Sequence, residues 1–131
     1  MMSVRTFVAL ELPEPLRAGI LGLARKLRDS GIRASWCRDG TLHLTLKFLG
    51  GVEEGDLPGV VAAVAAAAAG VPPFDFETGR LGAFPSPRNP RVIWLGAEPV
   101  DELFDLQAAI EDELSAAGFP RERRRFHPHI T

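Results

Sequence analysis

Hydrophobic and polar residues alternate strictly through the segment TLHLTLKFLG, from Thr41 to Gly50. One set of alternate positions is apolar (Leu42, Leu44, Leu46 and Phe48), and the other set is polar (His43, Thr45 and Lys47). Because successive side chains of a β-strand point to opposite faces, this pattern predicts a strand with one buried and one polar face. On the polar face an imidazole and a hydroxyl would stand together, able to transfer a proton and to donate a hydrogen bond to an oxyanion.

The same His-x-Thr unit occurs a second time, as His129, Ile130 and Thr131. A shift of 86 positions places His43 on His129, and a shift of 87 places Gly31 on Gly118. The unit that recurs therefore consists of a strand, a proline, a helix, a glycine and a His-x-Thr strand. Such a repeat predicts two similar lobes related by an approximate two-fold axis, with the two His-x-Thr strands facing each other across it.

The remaining elements follow from apolar periodicity and from the positions of glycine and proline. The prediction comprises strands at Arg5–Leu10, Phe74–Phe84 and Arg91–Gly96, helices at about Pro13–Gly31, Asp56–Ala69 and Val100–Ala117, and a loop at Pro85–Pro90. The first helix carries an apolar stripe that is expected in the core (Leu16, Ile20, Leu23 and Leu27). A chain of 131 residues is long enough for one core and too short for two ordinary domains, so we expect a single domain spanning residues 1–131.

Length and composition agree with one folded domain. The chain has 131 residues, of which 46% are hydrophobic and 24% charged, and this balance excludes a disordered protein. Cys37 is the only cysteine, so no intrachain disulfide can form. The apolar run Val60–Ala69 is too short to span a bilayer. We therefore expect a cytoplasmic protein without a membrane partner, and we expect it to be a monomer.

Two imidazoles and two hydroxyls suit one reaction in particular. A neutral histidine can activate a hydroxyl nucleophile, a protonated one can give its proton to a leaving oxygen, and the threonine hydroxyls can hold non-bridging oxygens. Phosphodiester cleavage uses all four groups. A metal site is the alternative, with His127 and His129 joined by His43 as ligands. That alternative leaves both threonines without a role, so no metal is assigned. No phosphate-binding glycine loop occurs, and no cofactor is predicted.

Three motifs carry a resemblance to a known family. They are HLTLKFLG near His43, the segment from Phe84 to Trp94 that ends in PRVIW, and PHIT at Thr131. In these motifs the chain resembles the two-histidine phosphoesterases, in the branch called RNA 2′,3′-cyclic phosphodiesterase or 2′-5′ RNA ligase. The likeness extends from about Val4 to Thr131. It implies a bilobal α+β fold, with two pseudo-two-fold-related lobes of antiparallel sheet and outer helices around a central cleft.

The resemblance also implies an activity and roles for individual residues. The activity is hydrolysis of RNA 2′,3′-cyclic phosphate ends, including those derived from tRNA, to 2′-phosphomonoesters without a metal, and 2′-5′ ligation is its reverse. His43 would donate a proton to the leaving 3′ oxygen, and His129 would activate water. Thr45 and Thr131 would hold the phosphate. The family motif usually continues to an arginine beyond its threonine, and no residue here can be assigned that role.

Contacts to RNA would come from basic residues near these motifs, because phosphate contacts dominate non-specific binding. The candidates are Lys47, Arg88, Arg123 and Arg124, with Arg121 and Arg125 in the same cluster. The arginine cluster has a competing explanation, which is that it balances the acidic helix before it. Two other functions also remain open, namely an esterase acting on a small cyclic nucleotide or ADP-ribose cyclic phosphate, and an RNA-binding module without turnover.

The repeat carries one further expectation. In the first half, a helix and a strand follow the His-x-Thr unit of His43 and Thr45. If the second half continues in the same way after Thr131, the whole protein would have about 170 to 180 residues. We therefore expect that residues 1–131 lack a C-terminal helix and strand.

Overall fold

The computed structural model describes residues 2–31, 42–86, 89–98 and 100–130, and from residue 80 to residue 94 it describes the backbone alone. Within these ranges the chain forms five strands and three α-helices. In chain order they are β1 (Ser3–Glu11), α1 (Glu14–Asp29), β2 (His43–Glu53), α2 (Leu57–Ala69), β3 (Thr78–Ser86), β4 (Asn89–Ala97), α3 (Asp101–Ala116) and β5 (His129–Ile130). None of the helices described has both the length and the apolar character needed to cross a membrane.

The strands form one antiparallel sheet in the order β1-β2-β5-β4-β3. The short strand β5 lies at the centre, between β2 and β4. It joins the pair β1–β2 to the pair β4–β3. The α+β class with antiparallel pairing is therefore confirmed.

The element boundaries repeat with the offsets found in the sequence. A shift of 86 carries Ser3–Glu11 of β1 onto Asn89–Ala97 of β4 and the start of β2 onto the start of β5, and a shift of 87 carries α1 onto α3. Both helices end just before a glycine with positive φ, 91° at Gly31 and 98° at Gly118, a conformation that glycine adopts without steric cost. The predicted internal repeat is thus present in the fold.

The core lies between the sheet and α3. The largest fully buried side chains are Leu44 and Ile130 of the sheet and Leu103, Ile110 and Leu114 of α3. Two of these five are the middle residues of the His-x-Thr units. Helix α2 packs against α3 and buries small side chains such as Ala63 and Ala67. The apolar face of the two His-x-Thr strands is therefore covered by helix.

Two predictions about these elements are wrong in part. No residue of α1 is fully buried, and Leu23 is 36% exposed, because the helix reaches the core only through residues such as Leu16 and Ile20. The predicted loop at Pro85–Pro90 is mostly strand, with Pro85 opposite Pro90. Proline cannot donate to a strand ladder, but at the end of a hairpin few ladder bonds are lost.

Candidate active site

The strands that carry His43 and His129 lie side by side. Strands β2 and β5 are antiparallel neighbours, with Leu44 opposite Ile130. Both of these side chains point into the core, so the alternation of a strand places their neighbours on the opposite, open face of the sheet. His43, Thr45 and His129 are half-buried there. Antiparallel pairing about Leu44 and Ile130 also sets the position of Thr45 across from His129. Thr131 and Arg88 lie outside the described residues.

The imidazole of His43 stacks on the ring of Phe7. The two ring centroids are 4.7 Å apart and the ring planes differ by 24°. Phe7 lies on β1, which pairs with β2. On β1, Glu11 pairs with His43, and Ala9, which lies between Phe7 and Glu11, pairs with Thr45. The stacking fixes the orientation of the His43 ring.

The imidazole of His129 is oriented by the backbone. Its Nδ1 lies 2.7 Å from the carbonyl oxygen of His127. Because a carbonyl oxygen can only accept a hydrogen bond, Nδ1 carries the hydrogen and donates it. In the neutral ring the lone pair is then on Nε2. This is the tautomer in which Nε2 can act as a base. The side chain of His127 is exposed.

Lys47 does not share the face of His43 and Thr45, so that prediction is wrong. On β1 the neighbours Val8 and Ala9 pair with Lys47 and Thr45, which leaves Leu46 as an extra residue in β2. A bulge of this kind changes the alternation of the side chains. Lys47 therefore points into the helix side of the sheet, where it is 5% exposed.

The same bulge reverses the prediction for the next residue. The alternating pattern places Phe48 on the buried face of the strand, but its side chain is 50% exposed. It lies opposite Phe7 of β1, whose ring stacks on His43. Phe48 is therefore on the open face of the sheet, beside the candidate site.

The ammonium of Lys47 forms a buried ion pair with Glu111 of α3. Lys47 Nζ lies 2.6 Å from Glu111 Oε1 and also donates to the carbonyl oxygen of Pro120 at 2.9 Å. The second carboxylate oxygen, Oε2, accepts the backbone N–H of Glu122 at 3.0 Å. The network joins β2, α3 and the segment that leads into β5. We name it the Lys47–Glu111 network.

Glu111 was not identified from the sequence, although a signal was present. It lies directly after Ile110 and three residues before Leu114, both of which are buried. An acidic residue within the apolar stripe of a helix is uncommon unless it is paired. The position of Glu111 could therefore have indicated that its carboxylate is paired with a buried cation. It could not have indicated which lysine or arginine provides that cation. Phe7 gave no comparable signal, because an aromatic residue in a strand is ordinary.

Three of the four arginines in the cluster line an open cavity. Arg121 forms an exposed salt bridge with Asp112 of α3 at 2.9 Å, as the charge-balancing explanation predicts. The backbone N–H of Arg124 donates to Glu122 Oε1 and lowers the pKa of that exposed carboxyl. A cavity of about 420 Å³ is lined by Lys47, Phe48, Leu49, Phe119, Pro120, Arg121, Glu122, Arg123 and Arg124. Arg123 and Arg124 are exposed at its wall.

The metal alternative finds no ligand set in the part of the chain that the structure describes. No group of three or more His, Cys, Asp or Glu side chains lies close enough there to hold a metal ion. His43, His127 and His129 all belong to the described residues. The three histidines named in the metal hypothesis are therefore not assembled as ligands.

Comparison with known proteins gives a family match. Residues 10–94 match the model of the family described as LigT like Phosphoesterase. Among curated relatives, the RNA 2′,3′-cyclic phosphodiesterase of Thermotoga maritima is 36% identical over 128 residues, which are 98% of this chain and 68% of the relative. The enzyme of the same name from Methanothermobacter thermautotrophicus is 36% identical over 130 residues, which are 99% of this chain and 70% of the relative.

Solved structures of similar proteins share the fold. The protein TT0787 of Thermus thermophilus has a TM-score of 0.80 and 31% identity, and the match covers 98% of this chain and 72% of that one. E. coli LigT complexed with 3′-AMP has a TM-score of 0.72 and 29% identity, covering 98% and 71%. These likenesses confirm the predicted two-histidine phosphoesterase fold. The chain thus spans about seven-tenths of the length of these four proteins.

The Lys47–Glu111 network leads to a prediction about stability. Lys47→Met leaves the carboxylate of Glu111 buried without its cation, which is expected to lower the free energy of unfolding by about 3 to 5 kcal/mol. Combining Lys47→Met with Glu111→Leu removes both charges and is expected to recover most of that loss. Urea denaturation followed by circular dichroism measures the difference.

The exposed pair of Arg121 and Asp112 provides the matched control. Arg121→Ala breaks an ion pair of similar length in solvent and is expected to cost less than about 1 kcal/mol. Equal effects of Lys47→Met and Arg121→Ala would contradict the expected cost of leaving the Glu111 carboxylate buried without its cation.

Proposed function

Because this chain belongs to the LigT-like phosphoesterase family, we propose that it hydrolyses RNA 2′,3′-cyclic phosphate ends to 2′-phosphomonoesters. One observation carries the proposal. The two His-x-Thr strands are antiparallel neighbours, and His43, Thr45 and His129 project from the same face of the sheet. Relatives with 36% identity over nearly the whole chain are named RNA 2′,3′-cyclic phosphodiesterase, which supports the same substrate class here.

In the proposed mechanism the two histidines transfer the protons. Nε2 of His129 takes a proton from water, and the water oxygen attacks phosphorus. The bond from phosphorus to the 3′ oxygen breaks, and His43 gives its proton to that leaving oxygen. The products are a 2′-phosphomonoester and a free 3′ hydroxyl. The hydrogen bond that His129 donates from Nδ1 to the carbonyl oxygen of His127 supports the role of His129 as the base, because this bond keeps the lone pair of the neutral ring on Nε2.

We assign the two threonines the role of binding the phosphate. Thr45 lies on the face of His43, where its hydroxyl can donate to a non-bridging oxygen as charge develops. Thr131 is proposed for the same role from its place in the second unit. The reaction assigned in this way requires neither a metal nor a cofactor. Ligation through a 2′-5′ linkage would be the reverse reaction, with a ribose hydroxyl in place of water.

We propose that the RNA strand leading up to the cyclic phosphate end runs along the arginine cluster. Arg123 and Arg124 are exposed at the wall of the cavity, and Phe48 of the open face lines the same cavity. Arg88 remains a proposed contact on the basis of its sequence position alone. Lys47 is withdrawn as a contact, because its ammonium is buried against Glu111.

A smaller substrate is the second candidate. E. coli LigT, which shares this fold, has been solved with the mononucleotide 3′-AMP. That observation favours a site that also accepts a mononucleotide cyclic phosphate. Turnover of a short oligonucleotide with a cyclic phosphate end, compared with turnover of a cyclic mononucleotide, separates the two candidates. Binding of the oligonucleotide without any product would instead indicate a non-catalytic RNA-binding module.

The central prediction concerns the histidines. The purified protein is expected to open a 2′,3′-cyclic phosphate end in excess EDTA, and His43→Ala or His129→Ala is expected to lower kcat by roughly 10²- to 10⁴-fold. His127→Ala is the matched control, because the contact that orients His129 is made by the backbone carbonyl oxygen of His127, which the substitution keeps. Loss of activity in EDTA that zinc restores, or an equal loss in His127→Ala, would favour the metal alternative.

The pH dependence provides an independent prediction. One histidine must start protonated and the other neutral, so kcat/KM is expected to rise and then fall with pH, and its two limbs belong to the pair rather than to either residue. Initial rates measured between about pH 5 and pH 9 test this. A flat profile would contradict the paired roles.

The arginines are tested by the salt dependence of RNA binding. Replacing both Arg123 and Arg124 by alanine is expected to reduce the slope of log K against log salt by roughly 1 to 1.5, since each phosphate contact to a single strand contributes about 0.7. The control replaces Arg25 and Arg28, which are exposed on α1, and removes the same charge. An unchanged slope for Arg123 and Arg124 would exclude them from the RNA path.

A further inference from the structure

The proposed base His129 follows a connection that has no regular structure of its own. Residues 117–128 join α3 to β5, the structure describes all of them, and none lies in an α-helix or a strand. Residues 120–125 are exposed, so burial does little to fix their position. We name residues 117–128 the approach segment. Its place beside the sheet therefore depends on bonds to neighbouring elements.

The Lys47–Glu111 network supplies two such bonds, both to the main chain of the approach segment. Lys47 Nζ donates to the carbonyl oxygen of Pro120 at 2.9 Å, and Glu111 Oε2 accepts the N–H of Glu122 at 3.0 Å. Lys47 and Glu111 are only 5% and 8% exposed, and hydrogen bonds to charged groups away from water are strong. The middle of an exposed segment is thus tied to two buried charges.

Stability alone does not account for these buried charges. Burying two ions costs desolvation energy that their attraction does not always recover, and apolar pairs of similar volume are often at least as stabilising. An apolar pair could not bind a carbonyl oxygen and an N–H of the approach segment. The charges therefore have a role in specifying where that segment lies.

The network is anchored on the strand that carries the proposed acid. Lys47 lies on β2, two residues after Thr45 and four after His43. The two bonds therefore connect the strand of the acid to the chain that leads to the base, His129. Proton transfer requires groups within hydrogen-bond reach of the substrate, and a displacement of about 1 Å can lower a rate by about 10²-fold.

We propose that Lys47 and Glu111 are positioning residues for the reaction and that they act through His129. By holding the approach segment, they keep the imidazole of His129 across from Thr45, where its Nε2 can reach the water that attacks phosphorus. Neither side chain contacts the reacting phosphate in this assignment. The inference rests on the proposed function and adds to it two residues on the helix side of the sheet.

The first test removes the network without leaving a buried charge. Lys47→Met combined with Glu111→Leu, which we call the apolar double variant, loses both charges and both bonds to the approach segment, and its stability is expected to stay near that of the wild type. With an RNA that ends in a 2′,3′-cyclic phosphate, kcat is expected to fall roughly 10- to 100-fold and KM to change less. Lys47→Met combined with Glu111→Gln keeps an oxygen for the N–H of Glu122 and is expected to recover part of kcat.

Val60→Ala is the control for stability. Val60 is 5% exposed and lies on α2, which packs against α3. Its truncation leaves a cavity and is expected to lower the free energy of unfolding, with kcat unchanged at a temperature where the protein is folded. An unchanged kcat in the apolar double variant, or an equal fall in Val60→Ala, would overturn the positioning role.

A comparison in histidine variants shows whether the network acts through His129. In His129→Ala there is no imidazole left to position, so adding the apolar double variant is expected to lower kcat little further. In His43→Ala the base is still present, so the same addition is expected to lower kcat by roughly 10- to 100-fold. Equal losses in the two backgrounds would overturn the assignment to His129.

Amide hydrogen exchange tests the approach segment without turnover. The backbone N–H of Ala97 donates to the carbonyl oxygen of Pro128, the residue before His129, at 3.0 Å. Its exchange is expected to be faster in the apolar double variant than in the wild type. The N–H of Glu54, which donates to the carbonyl oxygen of Met2 at the far end of the β1–β2 pair, is the control and is expected to keep its exchange rate.

The two measurements together separate this inference from the proposed function. Wild-type turnover, with kcat and the exchange at Ala97 both unchanged in the apolar double variant, would refute the positioning role and leave the proposed function standing. Faster exchange at Ala97 in a protein whose wild type shows no turnover would refute the proposed function and support the hold of the network on the approach segment.

Discussion

The pairing of Leu44 with Ile130 is the constraint on which the site depends. Side chains of a strand alternate with a period of two, so a slip of one residue would carry His43 and Thr45 into the core and expose Leu44. That slip is opposed by burial, because Leu44 and Ile130 are fully buried in the same core cluster as the apolar side chains of α3. The hydrophobic core thus specifies the relative position of the two His-x-Thr units.

Strand β5 contributes only two residues to the sheet, so its pairing needs support from outside the ladder. On one side the backbone N–H of Ala97 donates to the carbonyl oxygen of Pro128. On the other, the Lys47–Glu111 network holds the carbonyl of Pro120 and the N–H of Glu122. The chain that approaches His129 is therefore fixed from both neighbouring strands. A buried ion pair contributes little net stability, but it specifies geometry, because each charge must meet its partner.

Sequence reasoning predicted much of this arrangement because its signals were periodic. The alternation around His43 predicted β2, and the repeat predicted that β1, α1 and β2 would recur as β4, α3 and β5, with the glycines at the helix ends. The side-chain assignments failed at Lys47 and Phe48. A bulge leaves no trace in an alternating pattern, because Leu46, Lys47 and Phe48 alternate in the sequence whether or not Leu46 has a partner on β1. Only the pairing of two distant strands reveals the extra residue. The partner of Lys47 was hidden for the same reason, since Glu111 is 64 residues away.

The bulge at Leu46 therefore has two consequences that belong together. It turns Lys47 inward, where the ammonium reaches Glu111 and the segment before β5, and it turns Phe48 outward, beside Phe7 and His43. A regular strand would do the opposite and would expose the lysine and bury the ring. One extra residue, placed just after Thr45, thus supplies both a support beneath the site and an aromatic surface next to it. This is the kind of position at which bulges occur, beside functional residues whose neighbours they re-aim.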